Sequence, residues 1–432
     1  MRISTGMLYD QGVLTMQNQT EALLKIQNQM STQRRIQSPS DDPSASSRAL
    51  AVTQNQSIVD QFNRNANMAS SALAMHESTL GTINDQLDQV RTLAVYAGNG
   101  SMTLSDRTAI ATELQGHYNT LLGLANTRDG NGQFMFSGYQ GSTLPFTETS
   151  PGTVAYNGDQ GQRTVQISSY RQVPVSSAGS DVFQRIHNGN GTFVTAASAT
   201  NSGSGVVDPG LVLNAGKWNN AANSKDYSVN FFVDTTVSPN VTTYDIVDNV
   251  SGNSMLSGGA AGAGPFLRTY TSGTTISLAT QSPPDTNPTP FDYGAQLTIS
   301  GAPASGDTIT VKASTNQDIF STIHNLIVSL QGGAATNSAV YNNNNTALSN
   351  IDLAQQNVLT AQTTMGALMK EVDGQVSSNG DLSLQYKTVL SQLQDLDMIQ
   401  ATSDLTRQKT SLDAAQLSFA KIQGLSLFNY LK

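Results

Sequence analysis

The chain has 432 residues, enough for more than one core, with 12% charged residues and a formal net charge of -9. That balance leaves no basic patch to hold a nucleic acid, and no run of about 18 apolar residues is present to span a membrane. Cysteine is absent, which excludes disulfides, thiolate metal sites and cysteine nucleophiles.

Residues 1–36 read as a helix with a thin apolar seam. Met16, Leu23 and Met30 recur at heptad spacing with Ile26 beside them, and Gln, Asn and Thr fill the space between. Such a helix has little propensity to stand alone and is expected to order against neighbouring subunits. Met1-Arg2-Ile3-Ser4-Thr5 leads into polar sequence without the apolar core of a signal peptide. Export, if it occurs, is then expected by a route that cleaves no such signal. Ser38-Pro39-Ser40-Asp41-Asp42-Pro43 is a rigid turn, with a carboxylate N-cap and a proline at the first helical position.

The stretch 44–97 carries the strongest pattern in the chain. Val59, Phe62, Ala66, Ala69, Leu73, His76, Leu80, Ile83, Leu87, Val90, Ala94 and Ala97 alternate by steps of three and four, and only His76 is not apolar. A helix of this length is a rod of about 80 Å, and its apolar face needs partner helices along all of it. Gly98-Asn99-Gly100 ends it. Thr103-Leu104-Ser105-Asp106 then fits a capping box, and Ile110, Leu114, His117, Leu121 and Leu124 give the next helix its stripe. The short connection makes that helix an antiparallel neighbour of the rod.

At Asp129-Gly130-Asn131-Gly132 the period changes. Phe134 and Phe136 alternate with Met135 and Ser137, Tyr156-Asn157-Gly158-Asp159-Gln160-Gly161 has hairpin-turn chemistry, and Thr164-Val165-Gln166-Ile167-Ser168 alternates as a strand. Residues 133–183 therefore read as a small β-subdomain. From about 182 to 311 Gly, Ser, Thr, Asn and Pro dominate, with strand candidates at 227–233, 243–247, 275–278, 296–300 and 308–311. This is an all-β domain inserted into a helical protein, and the helical stripes are expected to close without it.

Helices then resume. Ser314-Thr315-Asn316-Gln317 reads as a capping box ahead of Ile319, Ile323, Leu326 and Leu330, and Asn342-Asn343-Asn344-Asn345 as a polar connector. Ile351, Ala354, Val358, Ala361, Met365, Leu368 and Val372 form a heptad run, with a break at Ser378-Asn379-Gly380-Asp381. Leu382, Tyr386, Val389, Leu393 and Leu396 begin the last helix. After a small phase shift Met398, Ala401, Leu405, Gln408, Leu412, Ala415, Phe419 and Ile422 continue it.

The fold expected is an α+β multidomain one. A long antiparallel helical bundle comes from both chain ends, with a small β-hairpin subdomain and an inserted all-β domain. Its segments are 1–43 (N-terminal polymerisation segment), 44–183 (rod with hairpin subdomain), 184–312 (inserted domain), 313–376 (returning helices) and 377–432 (C-terminal polymerisation segment). Val59, Phe62, Leu73, Leu80, Ile83, Leu87, Val90, Ile351, Val358 and Met365 are the expected bundle core. Met16, Leu23, Met30, Leu405, Leu412, Phe419 and Ile422 are the expected polymerisation interface.

Signals for chemistry are weak. His76, His117, His187 and His324 are isolated, and no His-Glu-x-x-His pattern occurs. The glycines of 258–264 lack the lysine of a phosphate loop, and no Gly-x-Ser-x-Gly elbow is present. Asp245 and Asp248 are a short-spaced pair of a kind common on surfaces. No catalytic, metal or cofactor residue is assigned, and no enzyme is expected.

Met1-Arg2-Ile3-Ser4-Thr5, Ser40-Asp41-Asp42-Pro43, Ala125-Asn126-Thr127-Arg128-Asp129-Gly130-Asn131-Gly132 and Phe136-Ser137-Gly138 with Pro145-Phe146 form a distinctive set. So do Gly301-Ala302-Pro303-Ala304-Ser305-Gly306-Asp307 and the ending from Ser418-Phe419-Ala420-Lys421-Ile422 to Leu431. Together they resemble the bacterial flagellin superfamily, and within it the proteins of the hook–filament junction. The resemblance covers roughly 1–185 and 295–432. It departs at Gln33, where relatives often have glycine before a basic pair. It implies an extracellular structural adaptor without cofactors. Such a protein assembles with copies of itself into a ring, meets the first hook-associated protein on the hook side and meets flagellin on the filament side. It leaves by flagellar type III export, with a cytosolic chaperone on its C-terminal helix. Flagellin itself, a glycan-binding or glycan-cleaving surface β-domain and a passive spacer are the alternatives.

Overall fold

The computed structural model describes residues 5–262, 264–334 and 336–424. The Ile422 side chain, the first four residues and the 425–431 ending lie outside what is described. In chain order the helices are α1 (Thr5–Thr32), α2 (Pro43–Ala97), α3 (Leu104–Ala125), α4 (Gly179–Phe183), α5 (Ala215–Trp218), α6 (Ile319–Val328), α7 (Asn337–Gln394) and α8 (Met398–Gly424). The strands are β1 (Phe146–Ser150), β2 (Thr153–Tyr156), β3 (Thr164–Gln166), β4 (Gln172–Pro174), β5 (Ile186–His187), β6 (Phe193–Ala197), β7 (Val206–Val207) and β8 (Leu211–Val212). They continue with β9 (Asp226–Asp234), β10 (Val241–Asp248), β11 (Asn253–Ser254), β12 (Arg268–Thr269), β13 (Thr275–Ala279), β14 (Asp292–Ser300), β15 (Thr308–Ala313) and β16 (Asn316–Gln317).

The chain forms two compact units. The first takes the described parts of Met1–Asn67, Ile167–Tyr170 and Gly374–Lys432, and the second takes Met68–Gln166 and Arg171–Asp373. Helices α2 and α7 each contribute to both.

In the first unit α1 packs antiparallel on α8, and the start of α2 packs on the end of α7. Val59 is buried there, Phe62 is half-buried, and Ser383 Oγ donates to Asp60 Oδ1 at 3.3 Å. Asp42 caps α2 by accepting from the Ala45 N–H at 3.0 Å. The expected break at 378–381 does not occur, because α7 runs on to Gln394. Asn379 is a poor helix former, but its buried amide donates to the Ile167 carbonyl at 3.1 Å and holds the helix in place. The true break is at 395–397, where Asp397 accepts from the Ile399 and Gln400 N–H groups and starts α8.

In the second unit the α2 seam is fully buried at Leu73, His76, Leu80, Ile83, Leu87 and Val90, as are Ile351 and Val358 on α7, with Met365 nearly so. The Arg91–Asp352 ion pair (2.6 Å) and the Gln362–Glu77 hydrogen bond (2.8 Å) fix the antiparallel register of the two helices. Helix α3 starts in the expected capping box and meets α2 through His117 Nδ1 and Gln86 Oε1, 2.8 Å apart. It meets α6 through Tyr118 and Phe320.

The small β-subdomain differs from its expected form. Phe134, Met135, Phe136 and Ser137 are all buried and form turns rather than a two-faced strand. Aspartates wind those turns: Asp129 Oδ1 accepts from the Asn131 and Gln133 N–H groups, and Asp159 Oδ1 from those of Tyr139 and Gly161. The hairpin turn is at Gly152, between β1 and β2, whereas Tyr156–Gly161 links β2 to a separate β3–β4 pair. A cluster of Phe136, Phe146, Phe183 and Phe320 joins the subdomain to α6.

The inserted region holds a six-stranded antiparallel sheet in the order β11–β10–β9–β15–β6, with β12 on β10. A second sheet runs β13–β14–β7, with β8 on β14. All five foreseen strands are present, and the core between the sheets includes Phe193, Trp218, Tyr227, Phe231 and Leu297. Two expectations on the return path are corrected. Asn316 and Gln317 pair with β5 as a short strand, and the cap of α6 is Asp318, whose Oδ1 accepts from the Phe320 N–H at 2.6 Å. Residues 342–345 are not a connector: they lie inside α7, where Asn342 and Asn345 bond to the inserted region and Asn343 bonds Ser329, which replaces the local bonds that usually draw asparagine out of helices.

Candidate functional site

Among the described residues the α1–α8 pair is much less buried than the seam of α2 and α7 in the second unit. Among the described residues of α1 none is fully buried, and in α8 only Ala401 is. Met16, Leu23 and Met30 are half-buried, as are Leu405, Leu412 and Phe419. The pair is thus a single thin seam with water on both sides.

The register of the seam is set by three contacts. Phe419 lies against Tyr9, with ring centroids 5.1 Å apart and planes tilted by 47°. The same ring covers Gly12, where an added Cβ would stand 2.8 Å from Phe419 Cδ2. Two turns along, Gln19 Nε2 donates to Ser411 Oγ at 3.0 Å. Continuing that register brings Leu23 level with Gln408 and Met30 level with Ala401. The sequence reading passed over Tyr9, Gly12 and Gln19, although the signal was there. Tyr9, Met16, Leu23 and Met30 form one heptad line, and Gly12, Gln19 and Ile26 form the other.

Apolar side chains also point away from the seam. Met7, Leu14 and Leu24 on α1 are more than half exposed or close to it, and Ile399 and Leu417 on α8 are exposed by 86% and 67%. The linkers at the root of the pair are tied to each other. The Arg35 N–H donates to the Gln394 carbonyl at 2.7 Å, and the Leu396 N–H to the Gln33 carbonyl at 3.0 Å. Lys25 pairs with Asp41 at 2.8 Å. The hydrogen bond from Lys25, joined by the Ser38 and Gln37 N–H groups, holds the Asp41 carboxyl down at about 2. Gln33 takes a left-handed φ of 56° at this junction, the conformation in which glycine is at ease.

No group of three or more metal-ligating side chains comes together among the described residues, and no described helix is long and apolar enough to cross a membrane.

Comparison with known proteins accounts for this architecture. The model of the bacterial flagellin N-terminal helical region matches residues 3–141, a stretch that contains α2 and α3. The flagellar hook-associated protein 3 of Salmonella typhimurium is 36% identical over 186 residues, which are 43% of this chain and 58% of that protein. The match thus spans little more than half the length of that relative. A crystal structure of Legionella pneumophila flagellar hook-associated protein 3 superposes with a TM-score of 0.68 at 28% identity, over 79% of this chain and 98% of the other. A crystal structure of Xanthomonas campestris FlgL is 30% identical with a TM-score of 0.59, over 75% of this chain and 93% of that one. This chain belongs to the hook-associated protein 3 family of the flagellin superfamily. The family's flagellin-like plan is seen here in the long terminal helices that pack together and in the antiparallel sheets inserted between them.

Proposed function

We propose that the chain is a structural adaptor of the bacterial flagellum, joining hook to filament outside the cell, and that it is not an enzyme. The observation that carries this reading is the half-buried α1–α8 seam. Helices this polar, with a single thin seam and exposed Met7, Leu14, Ile399 and Leu417, bury too little surface to be stable as an isolated pair. They gain enough only by packing with further helices, which a ring of identical subunits and its flagellar neighbours supply. The partners are copies of this chain, the first hook-associated protein on one side and flagellin on the other. An export chaperone holds α8 before secretion. Residues 1–43 and 377–432 act as polymerisation segments around Met16, Leu23, Met30, Leu405, Leu412, Phe419 and Ile422, and segments 44–183, 184–312 and 313–376 make the body.

Phe419→Asp tests the seam. The substitution removes the ring that covers Gly12 and contacts Tyr9, and puts a carboxylate where it must lose water without a partner. The second unit does not include Phe419, so the secreted protein should stay soluble and folded. The expected result is a folded monomer that cannot complete the junction, with cells shedding unpolymerised flagellin. Secretion is measured alongside, because α8 also faces the chaperone. A strain that swims normally with an intact junction ring would refute the assignment.

A further inference from the structure

The first four turns of α7 carry two seams side by side. One is the continuation of the bundle stripe through Val340, Asn344, Ala347 and Ile351, all buried. The other is polar and has the same three-and-four spacing: Ser338, Asn342, Asn345 and Ser349. Every side chain of this second seam hydrogen-bonds to main chain of the inserted region. Ser338 Oγ donates to the Gly203 carbonyl at 2.8 Å, and Asn342 Nδ2 to that of Gly205 at 3.0 Å. Asn342 Oδ1 accepts from the Val207 N–H at 2.8 Å while Asn345 Nδ2 donates to the Val207 carbonyl at 3.1 Å. One step further, Ser349 Oγ donates to the Gly189 carbonyl, and neighbouring Asn350 Oδ1 accepts from the Gly189 N–H at 2.9 Å.

The pattern is specific. Val207 lies in β7, an edge strand whose ladder partner is Ile299 of β14. It turns both its N–H and its C=O towards α7, and each finds an asparagine. Asn342 and Asn345 thus stand where the next strand of the sheet would stand. Gly189 is held in the same two-handed way. Covering a sheet edge with a helix is one way of blocking it. This helix also supplies the missing hydrogen bonds.

We propose that the polar seam of α7 is a backbone latch that closes the edge of the inserted sheet and makes the inserted domain mechanically continuous with the helix. The domain then opens together with the start of α7 and does not fold as an independent bead on the helical body. The run of asparagines serves the latch, because amides can donate and accept at once and so substitute for a peptide group.

Two measurements on the full chain test this. The protein has one tryptophan, Trp218, and it sits in the core of the inserted domain. Across a urea series, Trp218 fluorescence and the exchange protection of amides 342–351 should be lost at the same concentration. Loss of the Trp218 signal at a clearly different concentration would overturn the proposal without any mutant. In the variant Asn342→Leu/Asn345→Leu, exchange of the Val207 amide should accelerate by about tenfold or more, because its buried acceptor and the donor to its carbonyl are both removed. Gly189 should accelerate with it, although its own partners are untouched. Asn343→Ala is the control: Asn343 bonds Ser329 and not the inserted domain, so both amides should be unaffected. Unchanged exchange at Gly189 in the double variant, or equal acceleration in the control, would show that no latch acts as a unit.

Discussion

His76 gives the second unit an acid-sensitive point that can be isolated by one substitution. It sits in the α2 seam between Leu73 and Leu80, fully buried, with its ring edge-on to Phe136 at 4.8 Å. Neither ring nitrogen has a hydrogen-bond partner among the described residues. Burial, reinforced by the nearby Arg163 cation, pushes its pKa down from the ordinary 6.5 to about 4. Arg163 is itself 3.7 Å from Asp129. The sign follows from the direction of the shift. Between pH 6.5 and 4 the unfolded chain binds the proton and the folded one does not, so stability is full above 6.5 and falls as the pH drops towards 4. At about 1.4 kcal/mol per pKa unit the whole loss is about 3.5 kcal/mol, and about 2.5 kcal/mol of it is reached by pH 4.5. His76→Leu restores the apolar stripe and removes the titration. The assay is urea unfolding of wild type and variant at pH 7.5 and at pH 4.5. The gap between the two proteins should widen by about 2.5 kcal/mol at the lower pH. Carboxylates titrate in both and cancel in the comparison. Parallel loss of stability in the two proteins would refute the reasoning.

Two substitutions elsewhere have opposite signs. Gln33→Gly relieves a left-handed residue at the root of the α1–α8 pair, and should stabilise the first unit by about 0.5–1 kcal/mol, read as slower exchange of the Leu396 amide, whose acceptor is the Gln33 carbonyl. Faster exchange would mean that the Gln33 side chain matters more than its φ. Arg268→Met leaves Asp285 buried without its cation and strips donors from the Ser277 and Ala279 carbonyls. A loss of about 3–5 kcal/mol is expected in the Trp218 unfolding transition, and a loss below about 1 kcal/mol would show the pair to be dispensable.

How much of this was legible in the sequence depended on where the hydrogen bonds of each segment go. The α2 stripe from Val59 to Ala97 was readable because an apolar seam buried by the chain's own helices leaves a periodic trace. The five long strands were readable for the same reason. Asn342 to Asn345 and Ser378 to Asp381 looked like helix breaks because asparagine, serine and glycine favour turns when left to themselves. Inside α7 their side chains are engaged across space, Asn342 with Val207 and Asn379 with Ile167, and nothing in local sequence announces such partners. The Phe134–Ser137 region failed differently. Its alternation was real, but Asp129 and Asp159 wind the chain so tightly that both faces are buried.

The α1–α8 seam was half legible, and the missing half is informative. Met16, Leu23 and Met30 were found because they are large and apolar. Gly12 was not found because its contribution is the absence of a side chain, which lets Phe419 lie on the α1 backbone. Gln19 was not found because a hydrogen bond to Ser411 replaces an apolar contact at that level. The chain thus carries two grades of heptad. In α2 nearly every seam position is a large aliphatic or an alanine buried to completion, and the chain satisfies it alone. In α1 and α8 glycine, glutamine and alanine are mixed into the seam and nothing in α1 is fully buried. A helix pair stable by itself could not be given up to a neighbour without loss, whereas a half-satisfied pair gains from every further helix that joins it. The dilution of the seam at both chain ends is therefore the property that suits these helices to the assembly role proposed for them.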